Sequence, residues 1–241
     1  MSDGEWKDAR GWRWFLAEFV VVAAGVLAAL VAQQVAENLH EHRVSREARE
    51  TIFAELNVNV TNVTRRLALD ACVTDRLAEI DTVLNEAEKS GKLPPMNLPA
   101  SVPYYATFGR RWEAATAGGR TVLLSPDEQR AFARLYQWFE RLDALQQEQR
   151  DAWTRLYTLR LRKTLSPEML YDQQAALTEA IVAERSIVDQ IKQTQFYAAS
   201  IGIKGDAKLF DAPSGPASGP VSQKPICQQI RAAPPAGEPR T

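Results

Sequence analysis

Residues 14–35 read WFLAEFVVVAAGVLAALVAQQV, and Glu18 is the only ionisable side chain among them. A helix over this stretch is about 33 Å long, enough to cross a hydrocarbon core of about 30 Å. Glu18 lies about one turn from the N-terminal end, where a carboxyl can snorkel or take up a proton. Trp6, Trp12, Trp14 and Phe15 crowd the same end, as an interfacial aromatic belt does. The expectation is a transmembrane helix over 14–36, preceded by a short N-terminal tail over 1–13. A cleaved signal peptide competes with this reading, but its apolar region is shorter and follows a clearly positive start. Here Asp3, Glu5 and Asp8 alternate with Lys7, Arg10 and Arg13, and no strong small-x-small site precedes Gln33. An uncleaved anchor in membrane lipid is expected.

The charges flanking the span do not orient it. Lys7, Arg10 and Arg13 on one side balance Arg43, Arg46 and Arg49 on the other. An N-terminal anchor carrying a long C-terminal domain usually keeps its N-terminus in the cytoplasm. The expected address is therefore a bacterial inner membrane, with the C-terminal domain periplasmic. Within the span, Ala24, Gly25, Ala28, Ala29 and Ala32 recur at helical spacing. Such a face lets two helices approach closely, and Ala and Gly are also simply common in membrane helices. A homodimer through the anchor and the long helix after it is one reading of that face.

Beyond the span, glycine and proline outline the architecture. Neither occurs between Val26 and Ser90, which predicts a long helix over 37–90 as stalk and bundle. Pro94, Pro95, Pro99 and Pro103 then mark a linker over 91–103. A helical domain over 104–203 follows, with helices near 104–117, 126–163 and 167–201. Ser125-Pro126-Asp127-Glu128 has a capping hydroxyl, a proline at the first helical position and a Glu able to bond back. Ser166-Pro167-Glu168 repeats the device without the reciprocal Glu. The prolines from Pro213 to Pro239 lie among Gly, Ser and Ala, so residues 204–241 are expected to be a disordered tail.

The long segments carry a helical period. Ile52, Leu56, Val60, Val63 and Leu67 make one stripe, and Leu69, Val73, Leu77, Ile80, Leu84 and Ala87 continue it in a shifted register. Phe132, Leu135, Phe139, Leu142, Leu145, Trp153 and Leu156 form another, interrupted by Gln149. Leu170, Leu177, Ile181, Val188 and Ile191 form a third, and Tyr104, Phe108 and Trp112 share a face before Gly118-Gly119. One apolar stripe per helix must be buried on another helix. The fold expected is all-α: one N-terminal transmembrane helix running into a long helix, plus an antiparallel helical bundle or coiled-coil hairpin.

The phrase Phe15-Leu16-x-Glu18-Phe19-Val20-Val21-Val22-x-x-Gly25-Val26-Leu27-x-Ala29-Leu30 resembles the opening of a family of uncharacterised bacterial single-pass inner-membrane proteins. Arg46-Glu47-Ala48-Arg49-Glu50 into Ile52-Phe53-Ala54-Glu55-Leu56 is similar to the acidic, arginine-rich helix that follows there. Trp112 through Gly118-Gly119 into the helix beginning at Ser125 resembles a later part of the pattern. That family usually has a Trp soon after the span, where this chain has Gln33-Gln34-Val35-Ala36. The resemblance implies a bacterial membrane address and no chemistry.

Composition narrows the function further. With 29 basic and 30 acidic residues and a net charge of −1, the chain is no global nucleic-acid binder. The two histidines, His40 and His42, both precede the soluble bundle, so His-based catalysis has no partner there. Glu37-x-x-His40 has di-iron spacing, but the second Glu-x-x-His that such sites require does not occur. Cys72 and Cys227 leave two fates open: a disulfide clipping the tail to the bundle in an oxidising compartment, or Cys72 as a small core residue. Asn59-Val60-Thr61 and Asn62-Val63-Thr64 match glycosylation acceptors incidentally, inside an expected helix. Arg155, Arg160, Arg162 and Lys163 suit a helix C-terminus, or lipid headgroups if the hairpin folds back to the membrane. No enzyme, metal or cofactor is indicated. The expected role is a membrane-anchored interaction or scaffold protein with an unknown protein partner. The alternative is a periplasmic ligand-sensing domain that signals through a separate membrane protein.

Overall fold

The computed structural model describes residues 5–205 and 224–230. The fold is all-α, as the periodicity requires. Helix α1 runs over Glu5–Leu67 and α2 over Asp70–Ser90; a short α3 spans Arg110–Ala117. Helix α4 covers Pro126–Tyr157 and α5 covers Pro167–Ser200, with single 3₁₀ turns at Arg120–Leu123, Thr158–Leu161 and Pro225–Cys227.

Helix α1 contains the whole apolar segment, which is long and apolar enough to cross a membrane and is not buried by the rest of the protein. Trp12, Trp14, Phe15, Phe19, Leu27, Leu30 and Val31 all stand exposed. The same helix continues without interruption until Ala48, Ile52, Leu56, Val60 and Val63 enter the core. Residues 5–13, expected as a tail, begin this helix.

The single long helix expected over 37–90 is instead two, and the step of two residues from Leu67 to Leu69, too short for a helical stripe, is where α1 ends. Leu69 adopts φ −102° and ψ 0°, and its N–H bonds to the Arg66 carbonyl at 3.1 Å in a tightened turn. The change of register lets Leu69, Val73, Leu77, Ile80 and Leu84 stay buried along α2. A single uninterrupted helix would have rotated them away from the core.

Both serine starts form as expected. The Ser125 hydroxyl accepts from the Glu128 N–H at 3.3 Å while Glu128 accepts from the Ser125 N–H at 3.2 Å, closing the capping box. Ser166 accepts from Met169 N–H at 3.2 Å. Helices α4 and α5 form an antiparallel hairpin, and α1–α2 packs against it.

The core has two parts. A cluster nearer the apolar segment of α1 gathers Ile52, Leu56, Val60 and Val63 with Phe132, Leu135, Phe139, Ile187 and Ile191. A distal cluster gathers Leu69, Val73, Leu77, Ile80 and Leu84 with Trp153, Leu156, Leu177 and Ala180. The α1–α2 positions ascend while the α5 positions descend, so α5 runs antiparallel to both. Each fully buried Leu, Ile or Phe contributes about 1.5–3 kcal/mol of transfer free energy. These stripes therefore dominate the stability.

Three further expectations need correction. Residues 104–109 are not helical: α3 starts at Arg110, and Tyr104 and Phe108 lie in an extended strap with exposed rings. The linker is no loose spacer, because Leu93, Leu98 and Val102 are buried along it. The tail is not wholly disordered. Ile203 is buried, and residues 224–230 dock on α2 with Ile226 and Ile230 buried in the distal core. The remainder of that expected tail, 206–223 and 231–241, lies outside the described residues.

Candidate functional site

The disulfide between Cys72 and Cys227 closes a loop with a sequence separation of 155, at a Cα–Cα distance of 4.7 Å. It fastens residues 224–230 to α2. Around it, Arg76 donates to the Gln228 carbonyl, and the Ile230 N–H donates to Glu79 at 2.8 Å. Arg76 and Glu79 pair at 2.6 Å, one turn apart on α2. A segment with only two large apolar side chains is thus held by a covalent bond and a ring of polar contacts. Of the two fates open to the cysteines, the structure has the disulfide.

The extended strap is held by amides that act as strand neighbours. Asn59 on α1 donates to the Phe108 carbonyl at 2.7 Å and accepts from the Phe108 N–H at 2.9 Å. Gln146 on α4 does the same to Tyr105, accepting at 3.1 Å and donating at 3.2 Å. Asn62 donates to the Ala106 carbonyl at 2.9 Å. The two asparagines that match glycosylation acceptors are therefore structural. Glu55, also on α1, accepts from the Arg111 N–H at 3.0 Å and from the Tyr136 hydroxyl at 2.8 Å. A carboxylate from another helix thereby satisfies an otherwise orphan donor at the start of α3. Burial, followed by the Glu55 hydrogen bond and charge, pushes the Tyr136 phenol far above its ordinary range.

Between the two apolar clusters lies a polar layer that the sequence signalled only through Gln149. Arg66 donates to both Glu184 oxygens and, at 3.0 Å, to the Gln149 carbonyl oxygen. Gln149 in turn donates to Glu184 at 2.5 Å. The Arg66 and Glu184 side chains are 0% and 4% exposed. This network offsets part of the desolvation of two charges, while the buried Arg66 Nε has no hydrogen-bond partner among the described residues.

On the solvent side of that layer, α2 and α5 leave an open groove of about 510 Å³. Leu77, Ala78, Ile181 and Val188 give it apolar walls, and Glu184 reaches its floor. Asp70, Asp81, Asp189 and Arg185 edge it.

The residues singled out in the apolar N-terminal segment stand apart from this groove. Ala24, Gly25, Ala28, Ala29 and Ala32 are exposed on α1, as is Glu18, and a Cβ added at Gly25 would meet nothing within 4 Å. Glu37 and His40 are exposed on the stalk, where Gln33 donates to Glu37 at 3.4 Å. The basic cluster lies at the distal end of the bundle. Arg155 pairs with Glu179 on α5 there, and Arg160 donates to the Tyr157 hydroxyl. That position is opposite to the one lipid contact requires, since Ser45 and Arg49 meet Leu123 and Glu128 at the other end of α4.

Comparison with protein-family models, with curated proteins and with solved structures returns no match to this chain.

Proposed function

We propose that the protein is a membrane-anchored helical interaction or scaffold protein that presents a rigid bundle at a fixed height above the lipid. One observation carries this reading: α1 passes without a break from its exposed apolar segment into the membrane-proximal core. A flexible hinge would decouple bundle from anchor, whereas a continuous helix transmits position and rotation between them. The disulfide supports a periplasmic bundle, because such bonds persist in oxidising compartments. With it go a cytoplasmic N-terminus, a bacterial inner membrane, and kinship with the single-pass family that the opening phrase resembles. The small-residue face on the anchor favours a homodimer through the span and the long helix, in a coiled-coil arrangement.

Crosslinking and native-mass measurement of the full chain in lipid nanodiscs test this reading. A discrete dimer or a reproducible partner is expected, and a partnerless monomer would refute it. A reporter fused after Thr241 should be active only on the periplasmic side.

The groove between α2 and α5 favours a second reading, a ligand-sensing bundle that signals through a separate membrane protein. Glu184 joins the groove floor to Arg66, the last buried residue before α1 ends, so an occupant of the groove would touch the network that holds the stalk.

A further inference from the structure

The groove has a definite charge pattern. Leu77, Ala78, Ile181 and Val188 form its apolar walls, and Thr74, Glu184 and Arg185 line it between the two ends. Asp70 and Asp81 on α2 are separated by three helical turns, about 16 Å along the axis. Because α5 runs antiparallel to α2, Asp189 lies toward the Asp70 end. Carboxylates therefore stand at both ends of a partly apolar trough, in which they outnumber Arg185.

None of them is neutralised by a cation among the described residues. Asp70 accepts from the Thr74 hydroxyl at 3.3 Å and Asp81 from the Asn85 amide at 3.2 Å, both on their own helix. Asp189 has no hydrogen-bond or ion-pair partner there, and Arg185 is the single basic side chain lining the groove. Glu184 already belongs to Arg66.

We propose that this groove binds an aliphatic polyamine. Its methylene chain lies along Leu77, Ile181 and Val188, with one terminal ammonium at Asp81 and the other at the Asp70–Asp189 end. A metal ion does not fit, because its oxygen ligands must converge within about 2.6 Å of one point. A monoamine leaves one acidic end unpaired, and an anion meets three carboxylates. The volume lies within the range of small-molecule sites. The assignment gives the sensing reading its ligand class, and rests on it in taking the groove as a binding surface.

Calorimetric titration of the full chain in nanodiscs of zwitterionic lipid tests it, with spermidine, 1,7-diaminoheptane, heptylamine and 1,7-heptanediol as probes. Saturable binding is expected for the first two, weakening about fivefold or more for heptylamine and vanishing for the diol. Asp81→Asn and Asp189→Asn should each weaken spermidine about fivefold. Ala78→Trp should block it by filling the groove, while Asp151→Asn, on exposed α4, changes nothing. Near-UV circular dichroism checks that each variant keeps its packing. Undetectable spermidine binding overturns the assignment, as does binding that survives Asp81→Asn, Asp189→Asn and Ala78→Trp. Binding that leaves oligomeric state and crosslinked partners unchanged refutes sensing and leaves the ligand class standing.

Discussion

Arg66 and Glu184 form an ion pair buried between two apolar clusters, at the point where α1 gives way to α2. The pair is closed by Gln149 from α4, so one layer ties three helices together. Removing one partner strands the other charge in the interior. Glu184→Ala should cost about 3–5 kcal/mol, read as a lowered thermal midpoint of the detergent-solubilised chain. Replacing the layer by Arg66→Met, Gln149→Leu and Glu184→Leu together should restore most of that loss. A triple variant no more stable than the single one would show that the network supplies net stability rather than register.

The disulfide acts on a different state of the chain. Closing so long a loop restricts the unfolded ensemble, by roughly 5 kcal/mol in the chain-entropy account and about 2–5 kcal/mol by experience with native bonds. Cys72→Ala with Cys227→Ala should lower the thermal midpoint by about 5–15 °C. Hydrogen exchange should then accelerate at Ile226 and Ile230 while α4 and α5 stay protected. Unchanged exchange in 224–230 would mean that polar contacts through Arg76 and Glu79 suffice to hold it.

Helix stripes, both serine caps and the register shift at Leu67–Leu69 could be read from sequence because each is a local pattern. Packing has only to bury what the period already aligns. The strap could not be read. Tyr105 and Phe108 are held by Gln146 and Asn59 from other helices, and long-range amide pairing leaves no periodic trace. The docked segment 224–230 was hidden by its surroundings, since Ile226 and Ile230 are outnumbered by Pro, Gly, Ser and Ala nearby. Gln149 was visible as a flaw in the α4 stripe. Its partners Arg66 and Glu184 were not, being two charged residues among many on other helices.

Asn59→Leu keeps the volume near the strap but removes both bonds to Phe108. The stranded backbone N–H and carbonyl should cost about 1–3 kcal/mol. Asn59→Asp keeps one acceptor but sets a buried carboxylate against the Phe108 carbonyl oxygen, so it should be no more stable than Asn59→Leu. Limited proteolysis near residues 104–109 would report the detachment directly. A strap equally resistant in Asn59→Leu would place its anchoring with Gln146 and Asn62 instead.

Two carboxylates set opposite acid responses. For Glu128, burial raises the pKa, but hydrogen bonds from Ser125 and Arg49 outweigh it and hold the carboxyl below its ordinary value. Its stabilisation is present above the ordinary carboxylate range and is lost as pH falls through the lowered value. For Asp143, burial dominates over hydrogen bonds from Thr107, so its pKa is raised. The folded state then holds that proton longer than the unfolded chain, and stability falls as pH rises from the ordinary Asp value through the raised one. Across the acid range, Asp143→Asn should therefore gain on the wild type as pH rises above the ordinary Asp value, and Glu128→Gln should fall behind as pH rises toward the ordinary Glu value. Thermal midpoints measured across that range decide it. Parallel curves for Asp143→Asn and the wild type would show that the Thr107 hydroxyl compensates the buried charge in full.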